Sequence, residues 1–271
     1  MTAPHAALVT PLAHSFDDGE AYQRFMGCWS SAVATPFLHW LGAAPAQAWL
    51  DIGCGTGVFT RMVLDHSAAS SVVAIDSSAA QVAFARKHVD EGLATFQVGD
   101  AEALPFATGR FDIVCSALVL NFVTDPNRAL CEMRRVARTG GLIAAYVWDF
   151  ECELSPSGPL RRAMRQIGLA VPDMPGSARS TVSALTALFA SAGLQGIAGR
   201  QIEATTMFRD FDEYWHSQTP SYSPTTKIIS NLAPHRRSAL IKALENALPA
   251  AKDSRICYAA RANAIKAQAP L

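Results

Sequence analysis

Hydrophobic and polar positions along this chain change period several times, and each change marks an element. Positions 49–52 form a short apolar run broken only by Asp51, the pattern of a buried strand. Val58, Phe59, Met62, Val63 and Leu64 then recur at helical spacing. Residues 71–76 read as a second strand that ends in a carboxylate. Residues 79–88 read as a helix with Ser77 or Ser78 as its N-cap. Residues 95–98 form a strand running into a loop, and 111–117 a central buried strand. Asp125-Pro126 opens a helix through Leu130, Met133 and Val136 that should stop at Gly140-Gly141, followed by a fifth strand over 142–147. Strand and helix thus alternate over 48–150, which predicts an α/β fold with a parallel, doubly wound sheet.

On either side of that region the pattern differs. Residues 1–15 read as a loose tail, and an aromatic-rich run over 16–40 suits one or two amphipathic helices. Residues 155–176 hold four prolines and a basic helix (Arg161, Arg162, Arg165), the composition of a lid. Helix 180–192, strand 197–208, an aromatic stretch over 209–233, helix 239–248 and strand 256–265 complete the chain.

Composition removes several classes of function. The chain has 271 residues, half of them hydrophobic, ample for a large core. Its 23 basic and 23 acidic residues balance, so it lacks the electrostatic footprint of a nucleic-acid binder. No apolar run is long enough to span a bilayer, and the N-terminus has no secretory pattern. The six cysteines are scattered without a Cys-x-x-Cys pair, which predicts a reduced, cytoplasmic protein with no disulfide framework and no metal site. An oligomer is compatible with the sequence but not legible in it.

The chemistry is concentrated between the first strand and the helix after it. Gly53, Gly55 and Gly57 alternate there, so a ligand can lie against the backbone and meet the first amides of a helix. Asp76 follows at about the distance at which an acidic residue on the next strand meets a ribose. A dinucleotide fingerprint needs its third glycine at position 58, which is Val58 here. Residues 50–57, Leu-Asp-Ile-Gly-Cys-Gly-Thr-Gly, resemble motif I of the class I S-adenosylmethionine (SAM) methyltransferases. The resemblance implies a ligand with an amino acid at one end and adenosine at the other.

Further segments carry the same resemblance, close over 22–150 and looser beyond. Residues 22–30 (Tyr-Gln-Arg-Phe-Met-Gly-Cys-Trp-Ser) are similar to a segment ahead of motif I in a bacterial branch of small-molecule methyltransferases, similar to those acting on ubiquinone and menaquinone. There it is expected to lie over the cofactor, which would involve Tyr22, Arg24, Met26 and Trp29; plain packing on the sheet is the competing reading. Cys28 stands where that branch has arginine. Residues 99–106 resemble the family's Gly-Asp-Ala-x-x-Leu-Pro-Phe, so Asp100 would accept the adenine amino group and Ala101 offer its amide, unless Asp100 only caps the turn. By resemblance, Asp51, Gly53, Cys54, Gly55, Asp76, Ser77, Gly99, Asp100, Ala101, Ala117 and Leu118 would contact SAM, the last two beside the methyl donor. Asp112, at a strand's beginning, reads as structural. The Asp/Asn-Pro-Pro-Tyr sequence of amino-group methyltransferases is missing from 121–124.

The later elements resemble the family's ending, an antiparallel strand pair. The implied architecture is a Rossmann-like, mostly parallel seven-stranded sheet with that C-terminal pair and a small helical cap. Residues 1–45 would be an N-terminal helical lid, 46–150 the SAM-binding core, and 151–271 the completion of the sheet with cap insertions near 151–178 and 209–233. Residues 217–226 depart from the branch's glycine-rich sequence, where a substrate would bind. Base candidates are His216 and Tyr222, then Tyr214, Asp149 and His39, although a lone histidine is more often structural. The expected activity is SAM-dependent methyl transfer to O, N or C of a small organic molecule, with S-adenosylhomocysteine as product. The alternatives are a SAM-binding fold with another reaction, and a SAM-binding regulatory protein without turnover.

Overall fold

A computed structural model describes residues 19–89, 92–221, 223–249 and 255–270, with 19–22 and 24 as backbone only. Seven strands form one sheet: β1 (Ala48–Ile52), β2 (Ser71–Asp76), β3 (Ala94–Val98), β4 (Phe111–Ala117), β5 (Ala137–Trp148), β6 (Gln195–Phe208) and β7 (Ile256–Gln268). Their order is β3-β2-β1-β4-β5-β7-β6. The first five are parallel, and β7 runs antiparallel to both β5 and β6.

Helices cover both faces, as a parallel sheet requires. They are α1 (Gly19–Leu41), α2 (Val58–His66), α3 (Ala79–His88), α4 (Pro126–Val136), α5 (Gly158–Gln166), α6 (Val182–Ser191), α7 (Phe211–Gln218), α8 (Pro224–Ser230) and α9 (Pro234–Ala247). Strand alternation splits the core in two. Trp49, Ile113 and Cys115 face a layer with Phe37 of α1, Phe59 of α2 and Val82 of α3. Leu50, Ile52 and Val114 face the opposite layer with Leu130 of α4 and Phe189 of α6. Asp112 accepts from the Ala48 amide at 2.8 Å and pairs with Arg138, so it ties the starts of β1, β4 and β5 together, far from the strands' carboxyl ends.

The aromatic run, read as one or two helices, forms one, α1, which continues through Pro36. Other local expectations are corrected. The helix after Pro126 ends at Val136, and the chain enters β5 at Ala137, opposite Phe111. Gly140-Gly141 is therefore not a helix stop. It lies within β5 where the register against β4 shifts, and a Cβ on Gly141 would come within 2.7 Å of the Arg138 carbonyl. No helix joins β3 to β4: residues 99–110 are a loop. α9 begins at Pro234 rather than 239, and β7 continues to Gln268.

Two insertions stand outside the sheet. α5 follows β5, and α7, α8 and α9 lie between β6 and β7; α5 packs on α9. Among the described residues, no helix is long and apolar enough to cross a membrane.

Candidate functional site

The strand order reverses between β1 and β4, which is where open α/β sheets bind ligands at their carboxyl ends. A cavity of about 800 Å³ opens there. Gly53 and Gly55 line it from the loop after β1, Asp76 and Ser77 from β2, and Leu118 and Val119 from the turn after β4. Phe25 and Met26 of α1, Leu160 and Arg161 of α5, and Gln218 of α7 line it from outside the sheet.

The glycine loop is shaped by close approach. Gly53 sits at φ +75°, and a Cβ there would come within 2.3 Å of Val119 Cγ2. Gly57 occupies the N-cap of α2 at φ +84°, where a Cβ would fall 2.8 Å from Val89 Cγ2. Both positions demand glycine. The amides of Gly53 and Cys54 donate to the Ile75 carbonyl at 2.8 and 2.9 Å. The Gly55 amide donates to Asp76 Oδ2 at 2.9 Å, and Asp76 Oδ1 accepts from the Ser78 amide at 2.9 Å. Thr56 Oγ1 donates to Gln23 Oε1 at 2.9 Å, which ties the loop to α1.

Burial raises the carboxyls of both acids around this loop. Asp51 is fully buried and accepts from Thr60 Oγ1 at 2.6 Å, strapping β1 to α2; its other oxygen has no partner. Burial, and then the neighbouring Asp76 charge, push its carboxyl up to about 7, against the pull of Thr60. Burial also raises Asp76, while the amides of Ser78, Gly55 and Ser77 act in the opposite direction. Leu118 holds φ +64°, an unusual conformation for a bulky residue and one found where a site fixes its backbone.

The residues singled out from the sequence divide into three groups. Met26, Gly53, Gly55, Asp76, Ser77, Gly99, Asp100, Ala101 and Leu118 all line the cavity. Asp100 Oδ1 accepts from the Glu102 amide at 2.9 Å, so it caps its turn as well as facing the cavity. Asp51, Cys54, Ala117 and Trp29 lie behind the lining. Trp29 is fully buried, with its ring 6.2 Å from that of Trp148 in an edge-to-face contact, and Trp148 itself lines the cavity. The Tyr22 and Arg24 side chains, Tyr222 and the tail over 1–15 lie outside what the structure describes.

None of the other base candidates reaches the cavity. His216 is exposed, with Nδ1 2.6 Å from the Asp212 carbonyl. Tyr214 is fully buried, and desolvation holds its hydroxyl well above the usual phenol range. Asp149 is locked in an ion pair with Arg261 at 2.6 Å. His39 lies in the last turn of α1 and does not line the cavity.

Several polar lining residues are not singled out as site residues from the sequence, among them Arg161, Asp173 and Gln218. Arg161 and Asp173 belong to the segment read as a lid, but a basic run does not reveal which side chain turns inward. Gln218, buried with its Oε1 unpartnered, lies at the start of the stretch whose sequence departs from the branch.

Comparison with known proteins agrees with this geometry. Residues 50–145 match the methyltransferase domain family. The chain is 39% identical over 101 residues to a demethylmenaquinone methyltransferase of Renibacterium salmoninarum, covering 37% of this chain and 41% of that one. It is 32% identical over 138 residues to a malonyl-[acyl-carrier protein] O-methyltransferase of Serratia marcescens, covering 51% and 50%. The matches thus span half or less of these relatives' lengths. Among solved structures, the Bacillus subtilis YcgJ protein superposes with a TM-score of 0.56 at 18% identity, over 88% of this chain and 98% of that one. A phosphoethanolamine N-methyltransferase 2 of Haemonchus contortus, solved with SAM, gives 0.57 at 18% identity, over 95% and 58%. At such identity the likeness concerns the fold. Residues 50–145 of this chain are a class I SAM-dependent methyltransferase domain.

Proposed function

We propose that the protein transfers the methyl group of SAM to an O, N or C atom of a small organic acceptor and releases S-adenosylhomocysteine. The observation that carries this reading is the junction of the glycine loop with Asp76. Each Asp76 oxygen already accepts one backbone amide, and a carboxylate oxygen has a further lone pair. Two ribose hydroxyls are the ligand groups such an acid would take. Gly53 and Gly55 would lie against the amino-acid end, and Asp100 with the Ala101 amide would meet the adenine. Met26 on α1 would cover the cofactor, held down through Gln23 and Thr56. On this reading residues 1–45 are a lid, 46–150 the cofactor core, and 151–271 the rest of the sheet with its acceptor cap.

SAM supplies a methyl group already made electrophilic by its sulfonium. What this chain must do is hold the acceptor atom in line and keep water out, which is a positioning task. Trp148 and Leu118 are suited to that, since both are buried residues at the cavity wall. The two relatives above are named for different acceptors, so neither name carries over.

The test is calorimetry with SAM, S-adenosylhomocysteine and NAD, followed by product analysis. Micromolar SAM binding, about 8 kcal/mol, with S-adenosylhomocysteine formed only when an acceptor is present, supports methyl transfer. SAM binding with no such product from any acceptor points to a regulatory protein or another reaction. NAD binding without SAM binding would sink the reading.

A further inference from the structure

We infer that the acceptor enters the cap side of this cavity as an anion, with its carboxylate or phosphate group held by the Arg161 guanidinium. The inference rests on the methyl-transfer reading for what the bound molecule does, but not for its charge.

Helix α5 carries three arginines in five positions, and two of them are satisfied within the protein. Arg162 Nη1 donates to the Glu153 carbonyl at 2.7 Å, and Arg165 pairs with the Glu153 carboxylate. Arg161 has neither kind of partner. It is only 7% exposed and lines the cavity, yet it makes no side-chain hydrogen bond or ion pair with any described residue. Glu153 and Asp173 act on it only at longer range, and Arg165 repels it. A buried guanidinium left in this state is costly to the folded protein. A ligand oxyanion would remove that cost, because the planar guanidinium presents paired donors that match a carboxylate or phosphate.

The cavity lining contributed by β5 and the cap mixes apolar and polar groups. Trp148, Phe150, Leu160, Pro172 and Met174 supply apolar surface, and Ser155, Asp173 and Gln218 are among the polar residues there. An acceptor with a hydrocarbon or aromatic body and one anionic end fits both features. The competing occupant of Arg161 is the amino-acid carboxylate of the cofactor itself. The two differ in what an Arg161 variant would lose.

The experiment is calorimetry on the full chain with octanoate, octyl phosphate and the neutral isostere octanamide, each with and without saturating S-adenosylhomocysteine. At least one anion should bind at least tenfold more tightly than octanamide, and the stronger of the two identifies the headgroup. Arg161→Met should lower that anion's affinity at least tenfold and leave S-adenosylhomocysteine affinity within twofold. Arg161→Lys should retain part of the anion binding. Without ligand, Arg161→Met should melt at a higher temperature than the native protein, since an unpaired buried charge is removed; an arginine with a structural role would give the opposite sign. Equal binding of octanamide and octanoate would overturn the inference, as would the lack of anion binding by the native protein in either state. A loss of S-adenosylhomocysteine affinity in Arg161→Met, with octanoate affinity intact, would assign Arg161 to the cofactor and overturn it too. If the native protein binds no S-adenosylhomocysteine, the methyl-transfer reading fails, and the titrations without it still decide the charge of the ligand.

Discussion

The Gly55 amide donates to Asp76 Oδ2 at 2.9 Å, so one acid at the end of β2 fixes the loop at the end of β1. The two residues are 21 positions apart and meet because β1 and β2 pair in parallel, with Ile52 opposite Ile75. Asp76 thus shapes the loop and, on the proposed reading, also accepts from the ribose. Removing it should affect both.

Asp76→Ala is expected to weaken S-adenosylhomocysteine binding by at least tenfold, since each hydrogen bond to a charged acceptor contributes about 1.5–3 kcal/mol. Asp76→Asn, which keeps one acceptor oxygen, should fall between. Calorimetry on both variants checks this, and native-like affinity in Asp76→Ala would mean that another residue reads the ribose.

Gly53→Ala places a methyl group 2.3 Å from Val119 Cγ2 and a side chain at φ +75°. Overpacking of this kind costs about 1–3 kcal/mol. Denaturant titration should show that loss, and adding Val119→Ala should restore part of it, leaving the cost of the backbone conformation and of the 2.9 Å approach to the Cβ of residue 119. A single variant as stable as the native protein would show that the loop yields without strain.

Asp51 predicts a pH dependence. Its carboxyl is raised from 3.8 to about 7 in the folded protein. A group raised on folding contributes stability that is complete below its unfolded value and is lost as pH rises through the folded value. The native protein should therefore lose stability relative to Asp51→Asn between about pH 4 and 7, by an amount on the order of 2–4 kcal/mol. Melting curves of both proteins across that range test it; parallel curves would show that Asp51 stays ionised throughout.

Asp149 is 1% exposed, and its charge is balanced by Arg261 at 2.6 Å. Arg261→Met would leave that carboxylate buried and unpaired, which is expected to cost about 3–5 kcal/mol. The double variant Arg261→Met/Asp149→Asn should recover much of the loss. A double variant no more stable than Arg261→Met would place the damage in packing rather than in charge.

The sequence by itself determined what depends on near neighbours. Apolar spacing specified the strand, turn and helix around Gly53, and the interval to Asp76 identified an acid one strand away. Both follow from local geometry, because a βαβ unit returns the chain to the adjacent strand over a nearly constant length. A serine cap for α3, Ser77 or Ser78, follows for the same reason, and the structure selects Ser78, whose hydroxyl accepts from the Gln81 amide three residues on. The tertiary structure alone decided which side of an element meets the ligand. Met26 and Trp29 lie on one helix, three positions apart, yet Met26 lines the cavity and Trp29 is sealed behind Trp148. Arg161 turns to the cavity while Arg162 and Arg165 turn to Glu153. The ion pair of Asp149 with Arg261 joins residues 112 positions apart, and no spacing rule connects them. Periodicity assigns a residue to a face, but only the packing of distant segments determines whether that face meets protein or open cavity.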